Sequence, residues 1–599
     1  MKLPETIMTK THTIQVLSPA ATLRVDEGDL LADVLQSAGI PLSLYCGRRG
    51  VCGKCFVEIV RGGLPQSGDE EAALLRQKKL SSRHRLACRY KVHGDLTVRV
   101  PERSLLRQVA VLDTGISAPI YPEPAVKKIA LELPFPTLAT PFSLVEALEK
   151  RLAKRLRVPL GPARRLSEIS KPGEGRITAV ILDDQELLDV EPGDTAGRCF
   201  GVAVDIGTST VVVELVDLGS GRSLGRAAAM NAQLPFGSDV VSRITFVCQD
   251  PSNLDRLGAV IRDQVGGMIR DLARARGVAP DDIYEIVIAG NTAMNHIFLG
   301  VPVSTLALSP FHGVYTAAPE ARAGDLGLDV HPAARVYTAS NIGSFVGGDI
   351  SAGLAAIDME KKDGNFLFID LGTNGEIVLR KGRRSTATST AAGPAFEGMT
   401  ISCGMLALPG AIETARWKDG GFSVKTIGEG PAQGVCGSGL IDILALSLRK
   451  GLVSPGGRIA VPSKTIPITG GIVLTQTDVR KMQLAVAAIK SGVRMMLEEA
   501  GLGVSDLDGI FVAGAFGASL DVRNAMAVGL LPSVPENKVV FVGNSSLAGA
   551  RKLLLSAPER RKIESYARKI KHISLASGRA FQDRFITALE LKPYSGGSA

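Results

Sequence analysis

A chain of 599 residues, 45% hydrophobic and 22% charged, has the composition of an ordinary globular protein and the length of several domains. Its net charge of +9 comes from interspersed cations and acids. The densest basic stretches, 151–165 and Arg560-Arg561-Lys562, lack interleaved aromatics, so they read as solvated helix faces and argue against nucleic acid. No run approaches a membrane span and residues 1–10 hold no apolar core of signal length, so the eight cysteines are expected in a reducing, cytoplasmic setting.

Residues 13–101 read as one small unit. Alternating strands are expected at 13–16, 21–25, 56–60 and 96–100. Asp29 is placed to cap a helix over 30–38, and a second helix is expected over 69–79. Between them lies Tyr45-Cys46-Gly47-Arg48-Arg49-Gly50-Val51-Cys52-Gly53-Lys54-Cys55, with a fourth thiol at Cys88. Four thiolates at C-x5-C-x2-C…C spacing suit a [2Fe–2S] cluster, and the glycines let backbone N–H groups approach the sulfurs. A zinc ribbon offers two C-x2-C pairs, whereas only Cys52/Cys55 is present. The order of strands, helices and cysteine loop resembles the β-grasp [2Fe–2S] ferredoxin fold, nearer the adrenodoxin-like branch in its spacing.

Gly115, Pro119, Pro122 and Pro124 mark 102–125 as a linker. Residues 126–198 read as a small α/β middle domain, with a helix over 143–157, a strand over 177–182 and no catalytic constellation.

Residues 199–599 repeat themselves. An apolar strand runs into Asp205-Ile206-Gly207-Thr208, and another runs into Asp370-Leu371-Gly372-Thr373. Each copy is followed by a strand ending in Ala-Gly, at Ala289-Gly290 and Ala513-Gly514; the wider spacing of that second pair implies an insertion in the second copy. Asp205 and Asp370, delivered to the sheet edge, are placed to hold a Mg²⁺ shell. The turns after them, with Gly207, Thr208, Ser209 and Thr210 and with Gly372, Thr373 and Asn374, present N–H and hydroxyl donors to phosphate. Gly437, Ser438 and Gly439 form a further glycine turn at a helix start, which suits an anion. Asp205, Asp370, Asp349 and Glu376 are candidates to position an attacking water. The plainer alternative is that these glycines only make tight turns. No Walker-type loop lies nearby. Cys199, Cys248, Cys403 and Cys436 read as buried thiols, and His296 as a structural histidine with cobalt coordination as the alternative.

The paired hairpins resemble those of the acetate kinase, sugar kinase, heat-shock chaperone and actin superfamily. That resemblance implies an ATP site with an adenosine loop at Gly514, Ala515, Phe516 and Gly517. The expected fold is therefore α/β and α+β multidomain: a β-grasp ferredoxin domain (13–101), a linker (102–125), a middle domain (126–198) and a duplicated actin-like ATPase domain (199–599).

The combination resembles one family, the reductive activators of corrinoid proteins. The runs Asn231-Ala232-Gln233, Gly237 to Ile244, Gly290 to His296, Gly347-Gly348-Asp349 and Gly529 to Pro532 also match it. The resemblance implies ATP-dependent return of a cobalamin-binding protein of a methyl-transfer system from Co(II) to Co(I), one electron at a time. Such a step costs ~2.3 kcal/mol per 100 mV uphill, and a plant-type cluster sits near roughly −400 mV, so nucleotide is expected to supply the difference. The low-potential electron donor and the choice between monomer and homodimer stay open. Other readings are a small-molecule kinase with an appended redox module, a dehydratase activator with a cluster between subunits, and a non-catalytic electron-transfer protein.

Overall fold

The computed structural model describes residues 10–594 apart from 41, 45–47, 49, 51, 79, 106–119, 172–174, 515–519 and 576–578. Strands β1 (Thr11–Leu17), β2 (Ala20–Asp26), β3 (Phe56–Arg61), β4 (His84–Leu86) and β5 (Leu96–Arg99) form one sheet in the order β2-β1-β5-β3-β4. The period of two along β1 puts Ile14 and Val16 into the core, against Leu31 and Leu35 of helix Leu31–Ser37. That helix is not capped by Asp29. Its N-cap is Leu30, and the Asp29 carboxylate instead accepts the Asp26 N–H at 3.0 Å, because a short acidic side chain also closes local turns.

A second, three-stranded antiparallel sheet joins β6 (Val126–Glu132), β7 (Arg176–Leu182) and β8 (Glu186–Pro192). The expected helix over 143–157 is shorter, Leu144–Leu152, capped by Ser143 and closed by Ala153 at positive φ. The chain then extends, and a further helix, Leu160–Ile169, follows Pro159. This unit is bolted to its neighbour. The buried Lys128 ammonium meets Glu191 at 2.8 Å and Asp282 at 3.5 Å, and His331 meets Asp189 at 3.1 Å.

The duplication is visible in topology. The first copy contains β9 (Phe200–Ile206), β10 (Thr210–Asp217), β11 (Ser223–Met230), β12 (Ile283–Gly290), β13 (Ala321–Arg322) and β14 (Arg335–Thr338). The second opens with β15 (Asn365–Leu371), β16 (Gly375–Lys381) and β17 (Arg384–Thr390). After an inserted stretch holding β18 (Ala411–Lys418), β19 (Gly421–Thr426), β20 (Gly434–Val435), β21 (Thr465–Thr469) and β22 (Ile472–Thr475), it resumes with β23 (Gly509–Ala513), β24 (Val539–Gly543) and β25 (Lys571–His572). The sheets run β11-β10-β9-β12-β14-β13 and β24-β23-β15-β16-β17-β25. Without the edge strands β13 and β25, both have antiparallel first, second and third strands and parallel fourth and fifth strands. Helices Gly348–Ala356 and Ser545–Leu555 each follow the fifth strand of their sheet and pack together, burying Ala352, Leu547, Ala550 and Leu553 in a core shared by both lobes. The hairpins β9–β10 and β15–β16 therefore face one another.

Candidate functional site

Four carboxylates meet between the two hairpins. Asp205 and Asp370 are the penultimate residues of their strands, Asp349 lies in the first turn of helix Gly348–Ala356, and Glu376 lies on β16 opposite Asp370. Surrounding protein raises the Asp205 carboxyl to about 7, with Asp349 adding to the rise, although the Asn544 amide opposes it from 2.8 Å. Asp370 is pushed up to about 8 by burial and then by Asp349 and Asp205. Asp349 rises to about 6 through burial, and Glu376 rises for the same reason, reinforced by Asp349 and Asp370. Oxygen donors that resist carrying negative charge together have the chemistry a hard divalent cation takes, although among the described residues no three His, Cys, Asp or Glu side chains are gathered closely enough to hold a metal ion as they stand.

The first turn is held from behind. Asn231 donates from Nδ2 to the Gly207 carbonyl at 2.8 Å, and the Asn231 N–H reaches the Ser209 carbonyl at 2.9 Å. Arg243, fully buried, donates to the carbonyls of Thr208 and Gly237 and to Gln233 Oε1. Three successive carbonyls are thereby tied down, and the turn is set before any ligand arrives. Asn291 adds a long contact to the Thr208 hydroxyl at 3.4 Å. In the second turn the Gly372 N–H is bonded to the Asn374 carbonyl at 3.0 Å. The Ser209 and Thr373 hydroxyls approach within 3.2 Å across the cleft and both donate to Glu397, at 2.5 and 2.6 Å. Gly514 adopts φ +103 where a Cβ would lie 2.3 Å from the Leu371 carbonyl oxygen, so only glycine allows β23 to leave the sheet beside the second hairpin.

Three of the four expected cluster ligands are described, and they converge. The β3–β4 pairing puts Cys55 beside Ala87, whose N–H it accepts at 2.9 Å, next to Cys88. The Cys55 thiol is driven well up by its hydrogen bond with Cys88, by burial and by the charges of Cys88 and Cys52. Thiols crowded in this way are stable as thiolates only against a cation, the chemistry an iron cluster supplies, although the three described thiols are not by themselves gathered into a metal-holding group. Cys46 lies outside the described residues, as do Ala515, Phe516 and Gly517. Next to this pocket Lys54 donates to the Gly404 carbonyl at 2.6 Å, a contact between the N-terminal unit and the inserted stretch of the second lobe. Burial pulls the Lys78 ammonium down to about 8, helped by Lys54.

Gly437, Ser438 and Gly439 open helix Gly437–Arg449, with the Ser438 hydroxyl donating to the Glu413 carbonyl at 2.8 Å. His296 uses both ring nitrogens inside the fold: Nδ1 pairs with the Thr292 carbonyl at 2.7 Å and Nε2 accepts the Val314 N–H at 2.9 Å. Burial raises the Cys199 and Cys403 thiols to about 12, the state of inert side chains, but Cys248, expected to be buried, is exposed because it falls on the outward face of helix Val240–Gln249. The sequence reading missed Asn544, Glu397 and Lys54. Asn544 had one usable signal, a strand ending in Gly543 at the same topological point as Gly347-Gly348-Asp349.

A ferredoxin-type domain joined to a two-lobed actin-like fold with an acidic cleft defines the class, a nucleotide-cleft protein that carries its own iron–sulfur domain. Family descriptions match in the same order: a 2Fe-2S iron-sulfur cluster binding domain over 14–93, the RACo linker region over 116–197, the RACo middle region over 200–362, and the C-terminal domain of RACo, the ASKHA domain, over 364–595. All but the last residue of the unit at 126–198 thus falls within the stretch described as a linker. The chain is 32% identical over 96% of its length, and 98% of the relative's, to the corrinoid activation enzyme RamQ of Eubacterium limosum. It is 27% identical to the Co(II) methylated amine-specific corrinoid protein reductase of Methanosarcina barkeri, over 65% of this chain and 76% of that one. A solved structure of a reductive activator for corrinoid,iron-sulfur protein superposes with a TM-score of 0.74 at 32% identity, covering 97% of this chain and 98% of that one. The chain belongs to the family of reductive activators of corrinoid proteins.

Proposed function

We propose that this protein reactivates a corrinoid protein of a methyl-transfer system, delivering one electron that converts Co(II) of the substrate to Co(I) in a reaction driven by Mg–ATP. The observation that carries this reading is an end-to-end likeness to corrinoid activators in a chain that keeps both the converging thiols and the acidic cleft.

Cys46, Cys52, Cys55 and Cys88 are the residues we assign to a [2Fe–2S] cluster, which when bound supplies a one-electron carrier at low potential. Asp205 and Asp370, with Asp349 and Glu376 beside them, are assigned to Mg²⁺, and one of the first two orients the attacking water. The turns at 207–210 and 372–374 take the phosphates, Gly437–Gly439 is a further anion turn, and 514–517 takes the adenosine. The division 13–101, 102–125, 126–198 and 199–599 is retained as our functional one. Within the segment 102–125, Ser104 donates to the Phe56 carbonyl in the first unit and Glu123 pairs with Ser556 in the second lobe. Among the described residues no helix is long and apolar enough to cross a membrane, and we place the protein in the cytoplasm, where its buried thiols stay reduced.

The test follows loss of the Co(II) absorbance of a purified corrinoid protein with reductant and activator, with and without Mg–ATP. The expected result is reduction that requires both. Equal rates without nucleotide would remove the ATP coupling, and no reduction of any corrinoid protein from the same methyl-transfer systems would remove the function.

A further inference from the structure

One segment touches both sites. It begins at Glu397, whose carboxylate accepts the hydroxyls of Ser209 in the first lobe and Thr373 in the second. It ends at Gly404, whose carbonyl accepts the Lys54 ammonium from the cysteine loop. Between them the chain doubles back so tightly that its ends are in backbone contact. A Cβ on Gly404 would lie 2.4 Å from the Gly398 oxygen, and one on Gly398 would lie 2.6 Å from the Met405 oxygen. The middle is pinned to helix Gln476–Ala500: Ser402 donates from N and Oγ to Asp478, and Lys481 donates to the Thr400 carbonyl at 2.5 Å. A pivot about the Asp478 anchor would carry a displacement of Glu397 to Gly404 through the contact of the two glycines.

We propose that Glu397 is a positioning residue that reports nucleotide occupancy to the iron–sulfur domain. The phosphates of Mg–ATP claim the hydroxyls of Ser209 and Thr373, displace the Glu397 carboxylate, and through 398–404 release Lys54 so that the stretch Cys52–Cys55 leaves the second lobe. The inference rests on the reading that phosphate sits between the 205–210 and 370–376 hairpins. Its logic is competition for donors: two phosphate oxygens and one carboxylate cannot both accept the same two O–H groups. A loop face held against Gly404 cannot at the same time face a corrinoid protein, so release is the step that lets the electron leave the molecule.

The experiment uses the full-length holoprotein under anaerobic conditions, with Mg²⁺ and the non-hydrolysable analogue AMP-PNP as the probe. Acylation of Lys54 is followed by mass spectrometry while calorimetry records binding on the same sample. Loss of one charge-assisted hydrogen bond predicts that saturating analogue raises the Lys54 acylation rate about tenfold in the unaltered protein. Glu397→Ala is expected to bind the analogue and to show the high rate with or without it. Glu397→Gln, which keeps the volume and one acceptor oxygen, is expected to show a reduced response. A merely structural Glu397 would leave the nucleotide response intact in both variants, and that result overturns the proposal. Binding by calorimetry with no change at Lys54 in the unaltered protein also overturns it. No binding at all would sink the phosphate-site reading itself and this coupling with it, a result distinguishable from binding without release.

Discussion

Asn544 donates from Nδ2 to Oδ2 of Asp205 at 2.8 Å, across 339 residues of chain. The same side chain accepts the Leu547 N–H at 2.8 Å and so caps helix Ser545–Leu555. One residue thus ties helix Ser545–Leu555 of the second copy to a cleft carboxylate of the first. Because both roles fall on one amide, they can be separated by substitution.

Asn544→Ala removes both and is expected to lower stability by about 1–2 kcal/mol. Asn544→Asp keeps the cap but sets a second carboxylate against Asp205. Its denaturation midpoint should match the unaltered protein's in mild acid, fall below it in mild alkali, and recover when Mg²⁺ is added. Chemical denaturation at both pH values with and without Mg²⁺ checks this.

The cleft carboxyls set a pH dependence with a definite sign. Asp205 and Asp370 have folded-state values of about 7 and about 8, above the ordinary aspartate range. The folded protein therefore binds more protons than the unfolded chain between the two sets of values. The stability contributed is present below the unfolded value and is lost as pH rises through about 7 to about 8. Metal-free protein should melt at a lower temperature in mild alkali than in mild acid, and Mg²⁺ or Asp370→Asn should flatten the slope. A melting series that stays level across this range without metal would contradict the arrangement.

Serine substitutions sort the thiols. Cys52→Ser, Cys55→Ser and Cys88→Ser, with Cys46→Ser, are each expected to lose most bound iron and sulfide together with the visible absorbance. Cys199→Ser, Cys403→Ser and Cys436→Ser should retain them, because burial keeps those thiols protonated. Iron and sulfide analysis after reconstitution decides between the two groups.

Two helical glycines should respond to alanine with opposite signs. At Gly549 a Cβ would stand 1.9 Å from the Ala352 carbonyl oxygen of helix Gly348–Ala356, and backbone cannot give way cheaply. Gly549→Ala is expected to cost about 3 kcal/mol or more by overpacking. At Gly267, within helix Ser252–Arg276, nothing lies within 4 Å, so Gly267→Ala should stabilise by up to about 1 kcal/mol. Thermal denaturation of both variants provides the comparison.

Local signals in the chain were enough for much of this architecture. Alternation in β1 and β3, and the recurrence of an apolar strand ending in Asp-x-Gly-Thr, each lie within a few consecutive residues, where side-chain periodicity is a direct record of burial. Helix Leu160–Ile169 was not among the elements expected over 126–198; Pro159, Gly161 and Pro162 crowd its start. Proline at a helix start removes only amides that have no partner there, so composition misleads at that one position. The shortened helix at Leu152 has the converse cause, since Ala153 at positive φ ends a stretch whose residues would all accept further turns.

By itself, then, the sequence indicated the strands that alternate or end in Asp-x-Gly-Thr and that one domain is present twice. Only the tertiary structure decided that Asn544 steadies Asp205, that Glu397 spans two hydroxyls from different lobes, and that Lys54 rests on Gly404. Those contacts join residues far apart in the chain, and a single polar side chain carries no periodic trace of the partner that folding will bring to it.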